Sequence, residues 1–187
     1  EVFKGDSQNA AAYPVLARIY YGLGRYELAK LVCLTGLKID SKMARLHNVL
    51  GLVHLRLNDV RAAIGAFEDA VAAEPDHVPA HTNLGAITFN YRDYEASLRH
   101  FEAVLKVEPK NVNALVSRAA ALRGLDRLSE AEAGYNAALD VDPNYVPAHF
   151  NLGILYQEYL NKLDEAVRSY GLVLQHERQN GALRTDV

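Results

Sequence analysis

Histidine is the side chain in this sequence best placed to do chemistry. His47, His81 and His149 lie 34 and 68 residues apart, a spacing that invites a metal-binding reading. A single ion with bonds of ~2 Å to histidine must gather its ligands closely. If the three sit at equivalent places in successive helical hairpins, they are instead separated by roughly 10 or 20 Å, one or two helix-packing widths. They then read as core residues of aromatic character. His77 and His81 are closer in sequence, but Pro79 lies between them at a helix start and no third ligand is evident. Gly22-Leu23-Gly24 follows a helical pattern rather than a strand, which makes it a turn and not a dinucleotide loop. No nucleophile elbow, phosphate loop or His-Glu-x2-His pattern occurs, and Glu74, Glu108 and Asp142 belong to turns. The sequence therefore predicts no catalytic site, no metal and no cofactor.

The elements that position these residues come from an internal repeat. Glu74-Pro75, Glu108-Pro109 and Asp142-Pro143 recur every 34 residues. Asn83-Leu84-Gly85 returns as Asn151-Leu152-Gly153, and Val78-Pro79-Ala80-His81 as Val146-Pro147-Ala148-His149, each two periods later. The period divides the chain into units at 10–43, 44–77, 78–111, 112–145 and 146–179, flanked by an N-terminal segment 1–9 and a tail 181–187. Within each unit, apolar and small residues recur twice at the three-and-four spacing of an amphipathic helix, around a turn. In the third unit His81, Leu84, Gly85 and Thr88 share one helix face, and Ala96, Phe101 and Val104 share another. The acid-proline pair ends each second helix, because proline cannot continue it and disfavours α geometry in the residue before it.

Composition fits this picture. Half of the 187 residues are hydrophobic, enough for a substantial core, and 20 basic against 23 acidic residues give a formal net charge of −3. Lys and Arg are scattered singly, so a nucleic-acid partner is disfavoured. No apolar run approaches the ~20 residues of a membrane helix. The one cysteine, Cys33, reads as core. The chain begins at Glu1 and reads as a processed form or an excised segment. It is expected to be soluble and cytoplasmic by default, or in the bacterial envelope or periplasm if a signal has been removed.

The residues also resemble a known family. His47-x2-Leu50-Gly51-x2-His54, Ala63-x3-Phe67 and Pro75 are similar to the tetratricopeptide pattern Trp-x2-Leu-Gly-x2-Tyr, Ala-x3-Phe, Pro. His149-x2-Leu152-Gly153-x2-Tyr156 and Ala166-x3-Tyr170 repeat it. The resemblance covers nearly the whole chain in five repeats. It implies an all-α, right-handed superhelical solenoid of antiparallel helix pairs. Gly51, Gly85, Gly153, Ala17 and Ala119 are expected where paired helices touch most closely, with Phe67, Phe101, Tyr135 and Tyr170 as plugs towards the neighbouring unit. Three departures stand out: Ser41 replaces a proline, Arg118 occupies a normally buried leucine position, and the turn around Leu160–Leu163 holds one extra residue. Arg118 is expected to reach solvent or find a partner. Leu172, Val173 and Leu174 are expected to stay partly uncovered.

In this family the first helices line a concave groove that binds protein partners. The stripe not needed for the core is therefore the candidate site. It comprises Arg18 and Tyr21; Arg45, Asn48, Leu52, Leu55 and Arg56; Pro79, Thr82, Asn83, Ala86, Phe89 and Asn90; Asn113, Val116, Ser117, Ala120 and Arg123; and Pro147, Phe150, Asn151, Ile154 and Gln157. Its mixture of apolar and amide side chains suits a peptide or helix of a partner. Asn83 and Asn151 occupy positions from which related superhelices grip a peptide backbone, although each could equally bond within its own repeat. The Lys/Asn/Arg clamp for a C-terminal carboxylate, known from chaperone-binding members, is missing its cationic pair in every window. No clamp activity is expected.

The leading expectation is a non-catalytic protein-interaction scaffold within a multiprotein assembly. The alternatives are a structural module that self-assembles as a homo-oligomer or docks on its own chain through the terminal helix, and the targeting arm of a larger enzyme. The Asn151–Tyr159 stretch is also similar to repeat proteins of bacterial envelope and motility machines.

Overall fold

The computed structural model describes residues 10–182, so the 1–9 flank and residues 183–187 of the expected tail lie outside the described residues. Ten α-helices, and no strands among the described residues, form five hairpins. The first helices are α1 (Ala12–Gly22), α3 (Ala44–Arg56), α5 (Val78–Asn90), α7 (Val112–Gly124) and α9 (Val146–Ile154). Their partners are α2 (Tyr26–Ile39), α4 (Val60–Ala73), α6 (Tyr94–Val107), α8 (Leu128–Val141) and α10 (Leu163–Ala182). Packing divides the described residues into two compact units, unit 1 up to Leu84 and unit 2 from Gly85, with the division falling inside α5.

The helix boundaries have local causes. Glu74, Glu108 and Asp142 are the C-caps of α4, α6 and α8, and their φ/ψ of −140°/96°, −124°/75° and −134°/97° have left the α region, as the following proline requires. Asp40 caps α2 with nearly the same backbone, −141°/105°, despite Ser41 in the proline's place. Its carboxylate accepts a hydrogen bond from the Lys42 amide at 2.9 Å, as Asp142 does from Asn144 at 3.0 Å. An Asx turn thus supplies the bend that proline would have fixed. At the helix starts, Asp59, Asp93 and Asn111 accept from the amides of Ala62, Ala96 and Ala114, each at 3.0 Å.

The turn inside each hairpin uses one left-handed residue: Gly24, Asn58, Arg92, Asp126 and Asn161, with φ between 52° and 71°. The first four are spaced by the repeat period, and the last comes one residue late. That extra residue is absorbed before the turn, where Leu155–Tyr159 winds as a π-helical turn continuing α9.

Unit 1 packs around Ala17, Ala29, Val32, Cys33, Leu46, Val49, Leu50, Val53 and Ala66. Burial pushes the Cys33 thiol up to about 12. Unit 2 packs around Leu98, Ala119, Leu122, Tyr135, Ala138, Leu152 and Leu155. Close approach within hairpins is set by the predicted small residues. A Cβ added to Gly51 would lie 2.5 Å from the Phe67 ring, one on Gly85 2.9 Å from Phe101, and one on Gly153 2.5 Å from Tyr170. Each ring therefore seats on the glycine of its own hairpin, rather than only plugging the gap to a neighbour. In the fourth hairpin Ala119 supplies a methyl where the second, third and fifth have glycine. The space is returned by Gly134 of α8, whose added Cβ would meet the Ala119 Cβ at 2.9 Å. Arg118 finds a partner as expected, with its Nε 3.5 Å from Glu102 Oε1.

Candidate binding faces of the first helices

The histidines are engaged by the backbone. Nε2 of His47, His81 and His149 hydrogen-bonds the carbonyl six residues earlier, on Ser41, Pro75 and Pro143, at 2.8, 2.8 and 2.9 Å. An Nε2–H donor there ties the helix to the turn that precedes it, a role that an indole N–H could also fill. Their core reading is thus refined: His81 is buried, whereas His47 and His149 are half-buried. His77 Nδ1 accepts from the Ala80 amide at 3.2 Å and so caps the start of α5. Burial, with a smaller contribution from Arg45, holds the His77 imidazole below its ordinary range, against the opposing pull of Glu74. Among the described residues, no three His, Cys, Asp or Glu side chains come together in a metal-binding cluster. Nor is any helix there long and apolar enough to cross a membrane.

In unit 1 the predicted stripe is largely at the surface. Arg18, Arg45, Arg56 and Thr82 are exposed, while Tyr21, Asn48, Leu52, Leu55 and Asn83 are half-buried. Two lateral contacts join helices one repeat apart. Arg56 Nε donates to Tyr21 Oη at 3.1 Å, with its guanidinium 5.9 Å from the ring centre. Asn83 Nδ2 donates to Asn48 Oδ1 at 3.1 Å, which leaves the Asn48 NH2 group and the Asn83 carbonyl oxygen for other partners. Thr82 spends its hydroxyl on the Val78 carbonyl, at 2.9 Å. Pro14, Val15 and Arg18 of α1, Arg45, Asn48 and Val49 of α3, and His77 and Pro79 beside them line a recess of about 230 Å³.

In unit 2 the stripe behaves less uniformly. Asn90, Asn113, Phe150 and Gln157 are exposed, and Phe89, Arg123, Asn151 and Ile154 are half-buried. Val116 is a correction: it is buried in the unit 2 core rather than standing on an open face. Helical spacing allowed both assignments, and packing chose the inner one. Gln157 lies within the π-helical turn, where regular helical spacing no longer holds. Asn151 donates to the Pro147 carbonyl of its own helix at 2.8 Å, and Asn113 accepts from the Tyr145 hydroxyl.

Aromatic side chains shape this face. Phe89 packs edge-on to Tyr94 with ring centres 5.4 Å apart, and Phe150, 48% exposed, does the same with Tyr170 at 6.0 Å. The Arg123 guanidinium stands 5.8 Å from the Tyr159 ring centre. Tyr135 is fully buried, with no hydrogen-bond partner for its hydroxyl among the described residues, and burial pushes that group up to about 12. Ala86, Phe89 and Asn90 of α5, Ser117 and Ala120 of α7, and Phe101 of α6 enclose a recess of about 170 Å³, mostly apolar in lining. The Phe101 ring floors this recess while remaining buried in the core against Gly85.

Three comparisons bear on this arrangement. Models described as tetratricopeptide repeat match residues 10–43, 48–90, 89–146 and 135–168. No curated protein matches the chain. Among solved structures, one titled MamA 41-end from Desulfovibrio magneticus RS-1 superposes with a TM-score of 0.82 at 20% identity, covering 94% of this chain and 98% of that one. A double mutant titled MamA RS-1 gives 0.83 at 20% identity with the same coverage. A third, from a functional characterization of Pseudomonas aeruginosa pilF, gives 0.76 at 18% identity, covering 89% of this chain and 75% of that one. At these identities the likeness is one of fold.

Proposed function

This chain belongs to the tetratricopeptide-repeat family, and on that premise we propose that it is a non-catalytic scaffold holding a peptide or helix of a protein partner against the exposed faces of its first helices. The observation that carries the reading is the apolar recess of unit 2, walled by consecutive first helices and rimmed by the Asn90 amide. Such a recess takes one bulky side chain of a ligand, while the amide bonds the ligand backbone in either direction. Phe150 and Ile154 extend the apolar character of the first-helix stripe on α9. Contiguous exposed apolar surface of this kind marks partner sites.

The test fills the recess. Ala86 is exposed at its mouth, so Ala86→Arg leaves the core intact while occupying the cavity. Partners captured by the wild-type chain and confirmed with purified proteins should be lost by a folded Ala86→Arg variant. Undiminished binding would remove this face from the site.

A second reading has its own observation. Leu163, Val167 and Leu174, at helical spacing on α10, form an apolar stripe that stays open, with Val167 70% and Leu174 57% exposed. Leu172 is exposed and Val173 half-buried, as expected for that helix. Self-assembly through α10 would appear in light scattering as a mass that rises with concentration, and a constant monomer mass would dismiss it.

A further inference from the structure

The stripe on the first helices of unit 1 carries charge of one sign. Arg18, Arg45 and Arg56 stand on it, and no Asp or Glu does, although the whole chain has more acids than bases. Arg18 and Arg45 line the same recess, on α1 and α3. Among the described residues neither forms an ion pair or a hydrogen bond. Some other arginines find partners, Arg118 with Glu102, Arg127 with Glu130, Arg168 with Glu165, and Arg56 of this same stripe with Tyr21. Arg25, Arg61, Arg92 and Arg99 do not among the described residues; what sets Arg18 and Arg45 apart is that they share one recess. Two like charges at one concavity repel each other unless a counter-charge enters. The other polar groups at the recess are the Asn48 amide, with its NH2 group still available, and His77, whose Nδ1 is committed to the α5 cap. The remaining walls are Pro14, Val15, Val49 and Pro79.

Resting on the scaffold reading above, we propose that the partner segment bound by unit 1 is acidic, and that an Asp or Glu side chain of it seats between Arg18 and Arg45 while Asn48 bonds its backbone. Arginine forks match a carboxylate in geometry and charge, and the apolar walls exclude the water that would weaken the pair. The occupant is an internal acidic side chain rather than a chain terminus, because none of the Lys/Asn/Arg positions of the family's terminal-carboxylate clamp is filled as a set here. A peptide is favoured over nucleic acid because these walls offer an amide and aliphatic surface, no Phe, Tyr or Trp platform for a base, and an imidazole, His77, that is buried and held in the α5 cap.

The experiment selects ligands without assuming a partner. A phage-displayed library of random dodecapeptides is panned on the full chain, and the recovered peptides are titrated as capped synthetic peptides by fluorescence anisotropy. The expected result is a consensus with one fixed Asp or Glu. Its replacement by Asn or Gln should weaken binding about tenfold, and so should Arg18→Gln with Arg45→Gln in the protein. Arg61→Gln with Arg99→Gln, exposed arginines on second helices, should leave affinity unchanged. A consensus without an acid, or one whose affinity ignores the Arg18 and Arg45 changes, overturns this inference and leaves the scaffold reading standing. Failure to recover any peptide overturns both. A labelled random single-stranded oligonucleotide that binds, and is released by the same two changes, overturns the peptide assignment.

Discussion

Two glycine-to-alanine changes in one hairpin should move stability in opposite directions. Gly51 in α3 faces Phe67, and an added Cβ would lie 2.5, 2.7 and 2.8 Å from three atoms of that ring. Carbon atoms pack best at about 3.5–4.0 Å, so the ring must retreat by about 1 Å. Phe67 is completely buried, which leaves the ring no open space to enter. Overpacking of this kind costs about 1–3 kcal/mol. Alanine returns about 0.5–1 kcal/mol through its better helix propensity. Gly51→Ala should therefore lose roughly 1–2 kcal/mol net. Gly65, in α4 of the same hairpin, has nothing within 4 Å of its added Cβ. Gly65→Ala keeps the propensity gain alone and should stabilise by about 0.5–1 kcal/mol. Urea unfolding followed by circular dichroism measures both, and Phe67→Leu supplies the double-mutant cycle. In that background the Gly51→Ala penalty should shrink, because the opposing ring is gone. If Gly51→Ala stabilises the chain as Gly65→Ala does, the claim that glycine sets the approach of α3 and α4 is wrong.

Other expectations concern the turns and caps. Arg92 holds φ at 63° with an exposed side chain, whereas Asn58 and Asn161 fill the equivalent places elsewhere. Arg92→Asn should raise stability by up to about 1 kcal/mol, and Arg92→Val should lower it, as read from denaturant midpoints. His77 caps α5 through Nδ1 and has its folded pKa depressed by burial. Its contribution is therefore fully present above the unfolded value of about 6.5 and is lost as pH falls through the lower folded value. Melting temperatures at pH 7.5 and pH 5 should show an acid penalty. His77→Asn, which caps without titrating, should reduce that penalty. An unchanged pH slope in this variant would assign the titration to another group, such as His54, whose pKa is also lowered, chiefly by burial.

How much of this was legible in the sequence depends on how local each determinant is. The repeat period, the paired helices and the acid-proline stops follow from short-range spacing and backbone sterics. They were readable because a proline or a left-handed residue acts within its own few residues. Gly51 and Gly85 were also legible as points of close helix approach, but their pairing with the Phe67 and Phe101 rings was not, since those rings read as plugs towards the neighbouring unit. The proposed binding face was harder to read. A helical stripe fixes direction around the helix axis, but neighbouring helices decide what covers it.

Sequence by itself therefore determined an all-α tetratricopeptide fold, its register and the first-helix stripe that faces away from most of the core. Only tertiary structure decided that Val116 turns inward, that Asn83 reaches Asn48 while Asn151 stays on its own helix, and that Gly134 offsets the methyl of Ala119. It also decided that the extra residue of the fifth unit winds into a π-helical turn instead of lengthening the loop. Each of these outcomes depends on distances between helices that are remote in the chain. Local propensity is nearly indifferent to such distances, whereas close packing admits few alternatives.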